Sequence, residues 1–231
     1  MSMHVGSWRL ILALLSGSVA SVALADEVDE RWKEDWKCGQ QVTVPKDWLP
    51  GLAVSHAFMK DGLLPTFVIA KLGSADPSLT VVSPGLLLFV QGPTGWKHFP
   101  IDVSNSAMNI YIMPEKGHAV IFAMWTVEGP GQEYTVVSTQ DGFKTVRCGR
   151  LPSPKAQLGT LDYMRILSFD GSKLIGTVHY AETEKQEWFE SKTSDGGSTW
   201  SVPRKLASPA FEELGPTADG DHQDLISSIQ Q

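Results

Sequence analysis

From residue 53 onward the chain is a series of short apolar runs broken by turn residues. Met164–Phe169 ends at Asp170-Gly171, a hairpin signal. Lys173–Ala181 follows, with apolar or small residues alternating at Leu174, Gly176, Val178 and Tyr180. Trp188–Thr193 is the third run, and Asp195-Gly196-Gly197 turns the chain into Thr199–Leu206. Asn109–Met113, Ala119–Val127, Tyr134–Thr139 and Phe143–Gly149 repeat that order upstream. A more diverged unit precedes both. It runs Ala53–Met59, an Asp61-Gly62 turn, Leu63–Leu72, Leu86–Val90, a Gly92-Pro93-Thr94-Gly95 turn and Trp96–Asp102. Period-two alternation and runs of strand length predict strands. The tail Gln223–Gln231 is the one helix candidate, so the expected class is all-β.

The order is a repeat. Moving Ile110–Arg150 forward by 54 positions lays it on Met164–Arg204 without a gap, with eleven identities. They include Gly117/Gly171, Gln132/Gln186, Thr139/Thr193, Asp141/Asp195, Gly142/Gly196, Thr145/Thr199 and Arg150/Arg204. Four-stranded units of about this length are the blades of propellers. The expectation is a small or incomplete β-propeller of three to four four-stranded blades, with units at 53–102, 109–150 and 163–206. A β-sandwich is the alternative, because it too uses short strands at regular spacing. The N-terminal segment 26–52 holds a candidate closing strand, Gly39–Trp48, which would pair with the last unit and complete a fourth blade. Without it the propeller is open and leaves strand edges exposed.

The turn within the repeat has a recognisable form. Thr193-Ser194-Asp195-Gly196-Gly197-Ser198-Thr199-Trp200 fits Ser/Thr-x-Asp-x-Gly-x-Thr-Trp. It resembles the Asp-box of the sialidase-type (BNR) repeat family, with Thr193, Asp195, Gly197, Thr199 and Trp200 at the five defining positions. Thr139–Val146 is a degraded copy that keeps Thr139, Asp141 and Thr145, carries Gly142 one position early and has Val146 for the Trp. The resemblance implies a propeller whose boxes join the third and fourth strands of a blade. It implies a structural role for Asp195, since an Asp carboxylate can gather the amides of a turn.

Sialidase chemistry does not follow from it. Such enzymes hold a substrate carboxylate with three arginines and attack with a Tyr backed by a Glu. Past residue 25 there are five arginines, Arg31, Arg147, Arg150, Arg165 and Arg204. Tyr163-Met164-Arg165-Ile166-Leu167 lacks the proline of the family's Arg-Ile-Pro motif and follows a box instead of preceding one. His56, His98, His118, His179 and His222 are scattered. Glu182, Glu184, Glu187 and Glu190 read as a solvated face, and Asp219-Gly220-Asp221-His222 as an acidic tail within 207–231. No catalytic residue, metal site or cofactor is assigned.

The first 25 residues have the order of a signal peptide. Arg9 is the charged start, Leu10–Leu15 the apolar run and Ala23-Leu24-Ala25 the cleavage signal. Cleavage near Ala25 leaves 206 of 231 residues in a periplasmic or secreted protein. Export permits a bond between Cys38 and Cys148, the only two cysteines. A net charge of −7 disfavours nucleic acid and favours a basic or neutral partner surface. Trp32 and Trp36, in a charged stretch, are the candidate partner contacts.

In profile, though in no single motif, the chain resembles periplasmic immunity proteins that neutralise toxins delivered by type VI secretion, lipase-type toxins included. The resemblance implies an exported non-catalytic binding protein with a toxin as its protein partner and no membrane span. The second reading is a glycan-binding protein or an exo-sialidase-like hydrolase, resting on the Asp-box and the supply of tryptophans.

Overall fold

A computed structural model describes residues 36–46, 48–72, 85–102, 108–125, 133–154, 161–207, 225, 228 and 229. The expected leader, Trp32 and most of the acidic tail lie outside the described residues. The chain is all-β and forms three four-stranded antiparallel sheets, none of them closed. The first contains β1 (Leu52–Phe58), β2 (Phe67–Leu72), β3 (Gly85–Gly92) and β4 (Gly95–Asp102). The second contains β5 (Met108–Met113), β6 (His118–Trp125), β7 (Glu133–Thr139) and β8 (Arg147–Leu151). The third contains β9 (Leu161–Phe169), β10 (Lys173–Tyr180), β11 (Lys185–Lys192) and β12 (Arg204–Leu206). In each sheet every strand pairs with its sequence neighbours, so each is a meander.

Alternation along the strands decides how the sheets pack. On β6, Ala119, Ile121 and Ala123 join a core with Phe67, Ile69, Leu86 and Leu88 of the first sheet. The intervening Val120 and Phe122 join a second core with Met164, Ile166, Leu174 and Phe189 of the third. The middle sheet is thus buried on both faces, which explains the near-continuous apolar run of β6. The first sheet is also buried on both faces. Val68, Ala70, Leu87 and Phe89 point away from the second sheet, into a third core with Val44, Trp48, Leu49 and Ile229. Each large side chain buried this way contributes about 1.5–3 kcal/mol.

The N-terminal segment therefore does something other than expected. Val42 forms a bridge with His98 on β4, and its amide donates to the His98 carbonyl at 2.9 Å. It pairs with the first sheet, so Gly39–Trp48 does not extend the last one. Trp48, fully buried, then caps the first sheet's outer face. Cys38 is bonded to Cys148 on β8, fastening this strap to the second sheet. From the other end of the chain, Leu225 and Ile229 reach the same outer face. Leu225, Ser228 and Ile229 are helical, and the four-residue spacing puts Leu225 and Ile229 on one side.

Three strands start later than their apolar runs suggest. β2 begins at Phe67 because Asp61 and Leu64 bridge in a tight loop and Pro65 has no amide to donate. β8 and β12 begin at Arg147 and Arg204, not at Phe143 and Thr199, because the preceding residues stay in the turn. Glu182 and Glu184 fall in the hairpin between β10 and β11, as the strand assignment implied.

Candidate functional site

The two Thr-x-Asp turns are superimposable in their bonding. Thr139 Oγ1 donates to Asp141 Oδ1 at 3.0 Å and accepts the amides of Asp141 and Phe143 at 3.3 and 2.9 Å. Asp141 Oδ1 accepts the Thr145 amide at 2.9 Å. In the later copy, Thr193 Oγ1 donates to Asp195 Oδ1 at 2.9 Å and accepts the amides of Asp195 and Gly197 at 3.4 and 2.9 Å. Asp195 Oδ1 accepts the Thr199 amide at 2.8 Å, and Oδ2 the Thr199 hydroxyl at 2.7 Å. Burial pushes both carboxyl pKa values up, but these hydrogen bonds outweigh it and hold both below the ordinary aspartate value. The carboxylates are therefore turn-builders with their lone pairs engaged.

Each turn plants a ring between two sheets. Trp200 lies 5.6 Å from the ring centroids of both Phe122 and Phe169, and its indole N–H donates to Gly197 O at 2.8 Å. In the earlier turn Val146 holds the Trp200 position, and Phe143 supplies the ring instead, buried 5.0 Å from Phe67. The substitute is strained. Phe143 has φ +61°, where its counterpart Gly197 has φ +99°. A left-handed conformation costs an L-residue about 1–2 kcal/mol.

Around the earlier turn the ends of the first two sheets form an open cleft of about 530 Å³. Its walls are the β1–β2 loop, the β3–β4 hairpin, the β5–β6 turn and the Thr139–Val146 turn. Backbone contacts lock these loops together. The Leu63 amide donates to Pro114 O and the Gly142 amide to Gly117 O, both at 2.9 Å. A Cβ on Gly142 would overlap the Leu63 carbonyl, so only glycine lets the loops approach this closely, and its φ of +68° adds to the restriction.

Lys60, Lys97, Lys116 and Lys144 line the cleft, and Asp141 is its one lining carboxylate. No described carboxylate forms an ion pair with any of the four lysines. Sequence reasoning overlooked them, since they come from four separate segments, three loops and the start of β4. The available signal is that each lies within two residues of a turn glycine: Gly62, Gly95, Gly117 or Gly142.

The other sequence candidates are dispersed. Cys38 and Cys148 are joined. Trp36 is half-buried against Trp48, with ring centroids 5.6 Å apart, so its face is engaged within the chain. Arg165 and Arg204 sit on β9 and β12, the opposite edges of the third sheet. Three strand spacings separate them, about 14 Å. Arg147 and Arg150 sit on β8 of another sheet. Glu187 is paired with Lys185 and Lys205, both at 2.7 Å, and Glu190 with Arg204 at 3.2 Å. His179 stacks on Tyr163 at 4.9 Å, with Asp162 at 3.3 Å and Glu184 at 3.6 Å. Those carboxylates are 50% and 86% exposed, which makes the group a solvated surface cluster. Among the described residues no group of three or more His, Cys, Asp or Glu could hold a metal ion, and no helix is long and apolar enough to cross a membrane.

Comparisons with protein-family models, curated proteins and solved structures find no match to this chain.

Proposed function

We propose that this chain is an exported, non-catalytic protein-binding scaffold. In this reading the three sheets are blades of an open propeller whose first outer face is closed by the chain's own ends. The observation that carries the reading is the cleft at the turn ends of the first two sheets. Four loops from two sheets meet there, locked by backbone hydrogen bonds and a glycine contact. Loops held rigidly on a sheet scaffold are suited to recognising another macromolecule, because little ordering entropy remains to be lost on binding. The disulfide supports export, since such bonds persist in oxidising compartments.

Within that class, an immunity-type inhibitor of a secreted antibacterial effector, such as a lipase-type toxin, fits best. An inhibitor needs a rigid surface and no reactive centre of its own. A glycan-binding or sialidase-like role has less support, because Trp48 is fully buried and Trp200 is packed between sheets. The arginines capable of holding a sialic acid carboxylate are spread over separate strand edges. Deleting the gene and exposing the cells to toxin-bearing sisters tests the proposal. Sensitivity reversed by the intact chain is the expected result, and full resistance of the deletion strain overturns it.

A further inference from the structure

We infer that the lysine-lined cleft is the docking site for a short acidic segment of a partner protein, with apolar side chains among its carboxylates. The inference rests on the protein-binding reading above and names the chemistry of the partner.

Local charge is the first argument. The chain as a whole carries −7, yet four of the cleft's five charged lining residues are lysines. The fifth, Asp141, spends Oδ1 on Thr139 and Thr145. Asp61 and Glu115, the sequence neighbours of Lys60 and Lys116, do not line the cleft. The expectation of a basic or neutral partner, drawn from net charge, is thus reversed at this site. Charge of one sign gathered in a concave wall concentrates its field there.

The kind of charge is the second argument. The cleft has no arginine, so it offers no planar fork for one tightly held carboxylate or phosphate. Four ammonium groups on flexible stems, spread over three loops and the start of β4, suit several carboxylates strung along a peptide.

The apolar component is the third. Leu63 is 67% exposed in the cleft wall, with Pro65 and Pro93 beside the lysines, and Met59 just outside is 53% exposed. A leucine held out in solvent on a loop pinned at its own amide is a contact point for an apolar side chain. A phosphate polymer has nothing to place there.

The test uses the disulfide-bonded chain from residue 26 and three fluorescent probes: a short Asp/Glu peptide with central leucines, a Lys peptide of equal length with the same leucines, and inorganic polyphosphate. Anisotropy should show binding of the acidic peptide alone. Affinity should fall by about tenfold or more between low and physiological salt, and again in Lys60→Glu/Lys144→Glu. These lysines are exposed, and Lys60→Gln/Lys144→Gln gives a milder pair whose fold is checked by circular dichroism. Leu63→Ser should weaken the acidic peptide without changing the salt slope. Equal binding of acidic and basic peptides, tighter binding of polyphosphate, or full affinity in both lysine pairs overturns the inference. The two proposals fail separately. A toxin that binds the lysine variants unchanged removes the cleft and leaves the protein-binding reading. Peptide binding in the cleft alongside a fully resistant deletion strain removes the immunity role and leaves the cleft.

Discussion

The turns at Thr139 and Thr193 share four hydrogen bonds but not their anchors. The later turn uses the economical arrangement, with glycine at the left-handed position and an indole three residues on. The earlier turn puts the ring on the left-handed residue itself, at Phe143. It also has a covalent support that the later one lacks. Cys148, on the strand leaving the earlier turn, holds the N-terminal strap, whereas its repeat equivalent is Val202, 78% exposed. The strands differ accordingly. β8 spans five residues and β12 only three. A conserved hydrogen-bond frame thus tolerates different packing provided one ring enters the core, and the outer strand is longer where a neighbouring segment buttresses it.

The largest break in this comparison comes from the disulfide. Replacing Cys38 and Cys148 by serine opens a link across 110 positions, and the loop-closure model gives a loss of about 4–5 kcal/mol. Denaturant melts should show it, with hydrogen exchange rising around Val42 and β8 before β12. Faster exchange at β12 first would contradict the strap's placement. Phe143→Ala should cost about 3–4 kcal/mol from the emptied core, with the left-handed strain left in place because alanine keeps its Cβ. A loss well under 1 kcal/mol would mean that the ring is not the anchor. Asp141→Ala and Asp195→Ala should each cost about 1–2 kcal/mol, because each exposes or orphans turn amides. Their near equality in thermal melts is the check on the shared frame.

Acid sharpens the contrast further. Both aspartates have lowered pKa values, so their stabilisation is present above the ordinary aspartate pKa and is lost as pH falls through the folded values. Both turns should weaken together there. His98 titrates higher, and on one side only. Burial lowers its pKa, and its Nδ1 accepts the Val44 amide at 3.3 Å. The unfolded chain takes up that proton first, so stability from this contact holds above about pH 6.5 and declines below it. The Val44 amide should lose exchange protection between pH 7 and 5, with the Thr193 turn unaffected. A response that is equal at the two places would dismiss His98 as the cause.

Much of this architecture was legible in the residues. The 54-residue offset carried the strand order of two sheets, and the turn chemistry around Asp195 followed from side-chain type alone. What was misread had tertiary causes. Phe143 reads as the start of a strand because it is apolar and follows a turn glycine, whereas Asp141 keeps the Thr145 amide and the residues before it in the turn. Val146 looked like a lost tryptophan, because a ring three residues earlier can fill the same space from a strained backbone. The strap was matched to the wrong sheet, since a bridge such as Val42–His98 has no signature along the chain. The lysine cleft was invisible for the same reason: its charges converge only when four loops meet.

The covering of the first sheet has a consequence for the order in which the protein is made. Leu87 and Phe89 pack on a face that needs Val44 and Trp48 from the beginning of the chain and Ile229 from its end. During synthesis the strap precedes Ile229 by nearly two hundred positions. The oldest sheet is therefore the last to be finished. A chain cut short by a handful of residues would carry the twelve described strands and still leave an apolar gap where Ile229 belongs.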